Sequence, residues 1–79
     1  MTILHNIGDA ATIMGKDVIL ARSEIVEGIR YDLYNDAKLR DHGGAIRVFD
    51  TDSENVVTIK SYNDYNMAVS EFKDAVKNR

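Results

Sequence analysis

The chain contains no cysteine and no proline, and only two histidines among 79 residues. Without cysteine there is no disulfide framework, no thiolate zinc site and no cysteine nucleophile. A domain this small without such staples suits a reducing compartment, so a cytoplasmic location is expected. His5 and His42 stand far apart, with no HxxxH or HxH spacing that would present two nitrogens to one metal. No apolar run approaches the roughly 18 residues a membrane helix needs. The opening MTILHNIGDAATIMGKD lacks a basic n-region, so neither a signal peptide nor a membrane span is expected. An excess of cations is missing too: 10 Lys and Arg against 13 Asp and Glu give a net charge of −3, with the signs interspersed. That balance counts against a general affinity for nucleic acid while leaving room for a local basic face.

What is present is the composition of an ordinary globular chain, 44% hydrophobic and 29% charged, which excludes disordered, collagenous and coiled-coil classes. No repeat, low-complexity tract or shift in composition marks a linker, so residues 1–79 read as a single domain. A chain of this length buries only about 60–65% of the surface its unfolded form exposes, too little for a second core.

The spacing of Ile7, Ala10, Ala11 and Met14 predicts a short helix over 7–14, with Asn6 as N-cap, Asp9 in the first turn and Gly15 just past the end. Asp17 to Arg22 (DVILAR) and Gly28 to Asn35 (GIRYDLYN) read as strands joined through Ser23 to Glu27. Asn35 to Gly44 (NDAKLRDHGG) has the chemistry of an exposed loop. Ala45 to Asp50 and Val56 to Tyr62 form a hairpin about the polar turn Thr51-Asp52-Ser53-Glu54-Asn55. From Asn63 onward, Tyr65, Ala68, Val69, Phe72, Ala75 and Val76 make a helical apolar stripe, with Lys73, Lys77 and Arg79 at the negative end of the dipole. The expected fold is α+β, in the order α-β-β-β-β-α, with a four-stranded antiparallel sheet covered on one face by helices.

Strand alternation then divides the sheet. If Ile29, Tyr31, Leu33, Ile46, Val48, Val57 and Ile59 face the helices, then Arg30, Asp32, Tyr34, Arg47, Phe49, Thr58, Lys60 and Tyr62 face outward. Arginine and tyrosine are enriched at binding hot spots, so Arg30, Tyr34, Arg47, Phe49, Lys60 and Tyr62 are the expected partner-binding residues. The 35–44 loop and the 50–54 turn flank them. The alternative is a solvated face stabilised by cross-strand Arg–Asp and aromatic pairs. A one-residue slip of register would exchange the two faces.

Chemistry is harder to find. Asp50-Thr51-Asp52-Ser53-Glu54 imitates the first positions of a calcium loop, but Asn55 stands where that loop needs glycine and Ser61 where it needs glutamate. The acidic tip can instead be read as a phosphate mimic facing a DNA-binding partner. Ser23, His42 and Asp41 supply the residue types of a hydrolytic triad without an elbow or an oxyanion loop. Gly43-Gly44 precedes a strand rather than a helix and so makes no phosphate cradle. The sequence is that of a non-enzymatic protein, with no catalytic residue, metal or cofactor expected.

These readings converge on a binding module that docks sterically onto a macromolecule, most naturally a protein. In general character, and not through any motif, the chain is similar to the small inhibitors that phages and mobile elements make against host defences, anti-CRISPR proteins among them. That similarity implies stoichiometric occlusion of a host complex. RNA binding through the same cationic and aromatic face is the alternative, although no K/R-G-F/Y-G/A-F-V-x-F/Y run occurs and Asp32, Asp50 and Asp52 crowd the patch. Self-assembly, including a homodimer through an edge strand such as 17–22, is a further alternative.

Overall fold

The computed structural model describes residues 4–39 and 42–77. Five strands follow one another in the chain: β1 (Ala10–Ile13), β2 (Lys16–Val26), β3 (Ile29–Asp36), β4 (Gly44–Asp50) and β5 (Asn55–Tyr62). A helix, α1 (Tyr65–Lys77), closes the order. The strands lie side by side in that same order, each antiparallel to the next. The expected α-β-β-β-β-α arrangement is therefore corrected to β-β-β-β-β-α, a mostly β architecture with one C-terminal helix.

The expected N-terminal helix is a hairpin instead. Ala10 pairs with Ile19 and Ile13 with Lys16, across a two-residue turn in which Met14 and Gly15 both have positive φ, 50° and 82°. Two successive positive φ values twist a turn in the same sense as the flanking strands. Gly15 was informative, but the left-handed conformation that ends a helix also closes a hairpin. A lone helix of two turns is marginal in water, whereas the ladder gives these backbone groups partners at once. Ahead of the hairpin, Asn6 and Asp9 form a turn: the Asp9 N–H donates to the Asn6 carbonyl, and the Asn6 N–H donates to the Asp9 carboxylate.

The same device joins β2 to β3. Glu27 and Gly28 have φ of 52° and 81°, so β2 runs on through Ser23 to Val26 rather than stopping at Arg22. Ser23 and Glu24 interrupt the apolar run that a strand reading follows, but they sit opposite Asp32 and Tyr31 in the ladder. The expected edge segment 17–22 is consequently interior in its first part: Val18 and Ile19 lie between β1 and β3, and Leu20 is bonded to Gly8 and Asp9, whereas Ala21 to Val26 have β3 on one side only. The sheet therefore ends on β5 at one side and on β1 with the second half of β2 at the other.

Helix α1 begins at Asp64, whose carboxylate accepts the Asn66 N–H, an N-cap bond that satisfies one of the four free donors of the first turn. Ala68 and Phe72 are its buried residues. They pack with Tyr31, Leu33 and Ile46, and Val26, Ile29, Val48 and Tyr62 border the cluster. Arg22 places its guanidinium 5.7 Å from the centre of the Phe72 ring. A second apolar cluster lies on the opposite face of the sheet: Ile13, Val18, Leu20, Tyr34 and Ala45. Residues 31–34 are thus buried in succession, on both faces.

At Gly44 the helix lies close against the sheet. A Cβ there would lie 2.6 Å from the Tyr34 carbonyl oxygen, 3.1 Å from the Tyr65 ring and 3.2 Å from the Ala68 methyl. Gly44→Ala should therefore lower stability by about 1–3 kcal/mol, the usual penalty of an overpacked core. An unchanged denaturation midpoint would show that α1 does not seat this closely.

Candidate functional site

Three neighbouring strands bring Ser23, Asp32 and Arg47 into one row, since Asp32 is opposite both Ser23 on β2 and Arg47 on β4. Asp32 has no exposed surface. Its Oδ1 accepts from Ser23 Oγ at 2.7 Å and from Arg30 Nε at 2.8 Å, and its Oδ2 accepts from Arg47 Nη2 at 3.0 Å. A fully buried carboxylate persists only with such partners, because desolvation of an unpaired charge is severe. The two guanidiniums, with side chains 12% and 7% exposed, are committed to it. Arg47 also lies 5.9 Å from the centre of the Phe49 ring, itself buried.

Leu4 to Asp9 cross this same face. His5 Nδ1 meets Tyr34 Oη at 2.8 Å, and the rings stand edge to face. Arg30 Nη2 donates to the His5 carbonyl. Farther on, the Gly8 N–H donates to the Leu20 carbonyl and the Leu20 N–H to the Asp9 carbonyl, so the segment is tied down at both ends. Burial and the neighbouring Asp32 charge push the Tyr34 phenol up to about 12, against the opposing pull of Arg47 and Arg30.

Of the expected contact residues, Arg30, Tyr34, Arg47 and Phe49 do share the face away from α1. There they are packed rather than presented: Tyr34, Arg47 and Phe49 are 0%, 6% and 3% exposed. Lys60 and Tyr62 belong to the other face. Lys60 is opposite Ile46 and Tyr62 opposite Gly44, which places both on the α1 side, where Tyr62 borders the helix cluster. Burial raises the Tyr62 phenol, with the Glu71 charge adding to it. Val57 and Ile59, expected to face the helices, are both exposed.

The reason is register. Ile59 is opposite Arg47 and Val56 opposite Phe49, with Val57 the extra residue of a bulge between Val56 and Thr58. Parity along β5 is thereby opposite to what the hydrophobic pattern suggests. Val56, Val57 and Ile59 become an apolar row at the sheet edge, 42%, 59% and 40% exposed. The doublet Val56-Val57, two apolar residues adjacent in a strand that otherwise alternates, is the trace of the bulge in the sequence.

Other chemistry has less support. Ser23 is committed to Asp32, His42 is an exposed loop residue, and Asp41 lies outside the described residues, as does Arg79. In the 36–43 connection, Asp36 accepts the Lys38 and Leu39 N–H groups, which hold its carboxyl below the ordinary range. The Asp50 carboxylate is used likewise, accepting the Asp52 and Ser53 N–H groups within its turn. Among the described residues no group of three or more His, Asp or Glu side chains gathers to hold a metal ion, and no helix is long and apolar enough to cross a membrane. A half-open groove of about 500 Å³ lies beside the β2 bulge, lined by Ile7, Ile19, Leu20, Ala21 and Asn35 to Ala37. It holds no nucleophile and base pair.

Asp32→Ala leaves two buried guanidiniums without their counter-charge and should cost about 3–5 kcal/mol; a loss under about 1 kcal/mol in urea denaturation would show that water reaches the cluster. Tyr34 gives a second expectation. Its folded-state value of about 12 lies above the ordinary 10.0, so its contribution is complete below about pH 10 and is lost as the pH rises towards 12. Wild-type melting temperatures should fall across that window, and Tyr34→Phe should flatten the fall.

Compared with protein-family models, curated proteins and solved structures, the chain matches none.

Proposed function

We propose that the chain is a non-enzymatic protein-binding module that docks through β5, adding this strand to the edge of a protein partner. The observation that carries the reading is the edge itself. β5 is eight residues long, it contains no proline, and three of its apolar side chains face solvent. Edges that are to remain unpaired are kept short or blunted with charge, proline or a bulge. β1 fits that description at four residues, whereas β5 is twice as long and carries one charged side chain, Lys60, and one bulge, at Val57. Strand addition takes its affinity from main-chain hydrogen bonds and its selectivity from alternate side chains.

RNA binding through the opposite face is less well supported, since Arg30 and Arg47 already neutralise Asp32 and Tyr34 is covered. Phosphate tracking and base stacking need those groups in reach of solvent. Arg30, Tyr34, Arg47 and Phe49 are better read as the scaffold behind β5 than as contacts, with Lys60 retained at the interface. Occlusion of a host complex by a small phage or mobile-element inhibitor, anti-CRISPR-like in character, is compatible with an edge-docking module in the cytoplasm.

Affinity capture from lysate of the source cell tests this, using tagged wild type and Ile59→Lys with and without nuclease. One nuclease-resistant protein at near-equal stoichiometry, retained by wild type and depleted at least about tenfold by Ile59→Lys, is the expected result; tenfold corresponds to about 1.4 kcal/mol. Partners that vanish with nuclease, or that ignore the substitution, would overturn the reading.

A further inference from the structure

We propose that the N-terminal arm, residues 4–13, is exchanged between two copies of this chain. The hairpin at Met14-Gly15 opens, and the arm of each copy takes the place that the other's own arm holds in the single chain. β5 has no part in the exchange, so the inference stands apart from the edge-docking reading.

The turn supplies the drive. Met14 and Gly15 have φ of 50° and 82°. Glycine takes such values freely, but in any residue with a side chain they press the Cβ on the following carbonyl oxygen. Asn-Gly is the pair that closes this kind of turn readily, and methionine stands where the asparagine would. The Met14 side chain is 65% exposed, so packing does not hold it there. Straightening residues 13–16 into one continuous strand removes the strain, and a short hinge under strain is what favours exchange over closure. The like turn at Glu27-Gly28 is anchored instead, since the Gly28 carbonyl accepts both the Thr51 N–H and the Thr51 hydroxyl.

The arm loses nothing by changing hosts. β1 pairs with β2, Gly8 and Asp9 bond Leu20, His5 Nδ1 meets Tyr34 Oη and the His5 carbonyl accepts from Arg30. Ile13 is buried with Val18, Leu20, Tyr34 and Ala45. Each of these contacts joins the arm to the body of the molecule, so an identical arm from a second copy restores them all.

The register of the exchanged form follows from the ladder already present. Ala10 pairs with Ile19, Ala11 with Val18, Thr12 with Asp17 and Ile13 with Lys16, so the residue numbers of every pair add to 29. A constant sum is what a two-fold axis requires of an antiparallel pair. The same pairs therefore form between copies, and the ladder continues with Met14 opposite Gly15 of the second copy and Gly15 opposite its Met14. Each β2 keeps its own β3 on the other side, and the two sheets join edge to edge at this seam.

Thr12 and Asp17 face each other and are both exposed, and the chain has no cysteine of its own. Facing residues of an antiparallel pair have Cα atoms about 4.5–5.5 Å apart, inside the range of about 4.4–6.8 Å that a disulfide spans. The double variant Thr12→Cys/Asp17→Cys thus cross-links in either form, within one chain when the arm is at home and between two chains when it is exchanged. Refolded from urea at about 1 mM and oxidised, it should run as two linked chains on a non-reducing gel, and refolded at about 1 μM as one, as mass action requires. Wild type should show the same change of mass in sedimentation equilibrium. Met14→Asn relieves the closed turn and should raise the dissociation constant at least about tenfold. Gly15→Val should do the reverse, because its Cβ meets open space and only the turn's φ is penalised. A wild type that stays a single chain at about 1 mM, a two-chain form whose double variant cross-links within each chain, or a Met14→Asn that associates as tightly as wild type would overturn the exchange.

Discussion

The carboxylate of Asp32 is the point on which the sheet turns. It has no access to water, and its bonds reach Ser23 on β2, Arg30 on its own strand and Arg47 on β4. An ion cluster of this kind is no cheaper than an apolar core of the same volume, and often less stable. What it supplies is selectivity of arrangement. A register slip of one residue on β4 would turn Arg47 away and leave Asp32 with Arg30 as counter-charge, and a slip on β2 would take away the Ser23 hydroxyl. Apolar neighbours such as Leu33 and Ile46 tolerate such a slip far better, because one aliphatic contact resembles another.

That constraint explains why the face away from α1 is closed. Two guanidiniums and a phenol on a sheet surface look like a contact patch, but here they are internal to the fold, with His5 laid over Tyr34 and its carbonyl taken by Arg30. Residues 4–9 are therefore part of the packing of that face. Their hold is polar and local, made of hydrogen bonds at His5, Gly8 and Asp9.

With one face covered by α1 and the centre of the other by the ion cluster and the segment at His5, the β5 edge is one of the apolar surfaces left exposed, as is Ile25 on β2. The bulge at Val57 is what exposes the β5 edge. By placing two β5 residues opposite one of β4, it changes the parity of the strand and brings Val56, Val57 and Ile59 out at the edge. In a sheet that otherwise alternates, the single extra residue separates Lys60 and Tyr62 from the arginines they were grouped with by pattern.

Strand identity and the C-terminal helix were legible in the sequence because they depend on neighbours in the chain: β-branched runs at 45–50 and 56–62, and the stripe from Tyr65 to Val76. So was the shared face of Arg30, Tyr34, Arg47 and Phe49, since strict alternation within a strand is a property of the backbone. The N-terminal hairpin was not, because Ala10 to Gly15 satisfy a helical pattern and a two-residue turn equally well, and only pairing with β2 chooses between them. Nor was the burial of the arginine face, which depends on a carboxylate and a crossing segment brought from elsewhere in the chain. Local propensity determined the strands from β2 onward and the C-terminal helix; the long-range ladder, through its two bulges and one buried charge, decided the N-terminal hairpin and which side of each strand meets water.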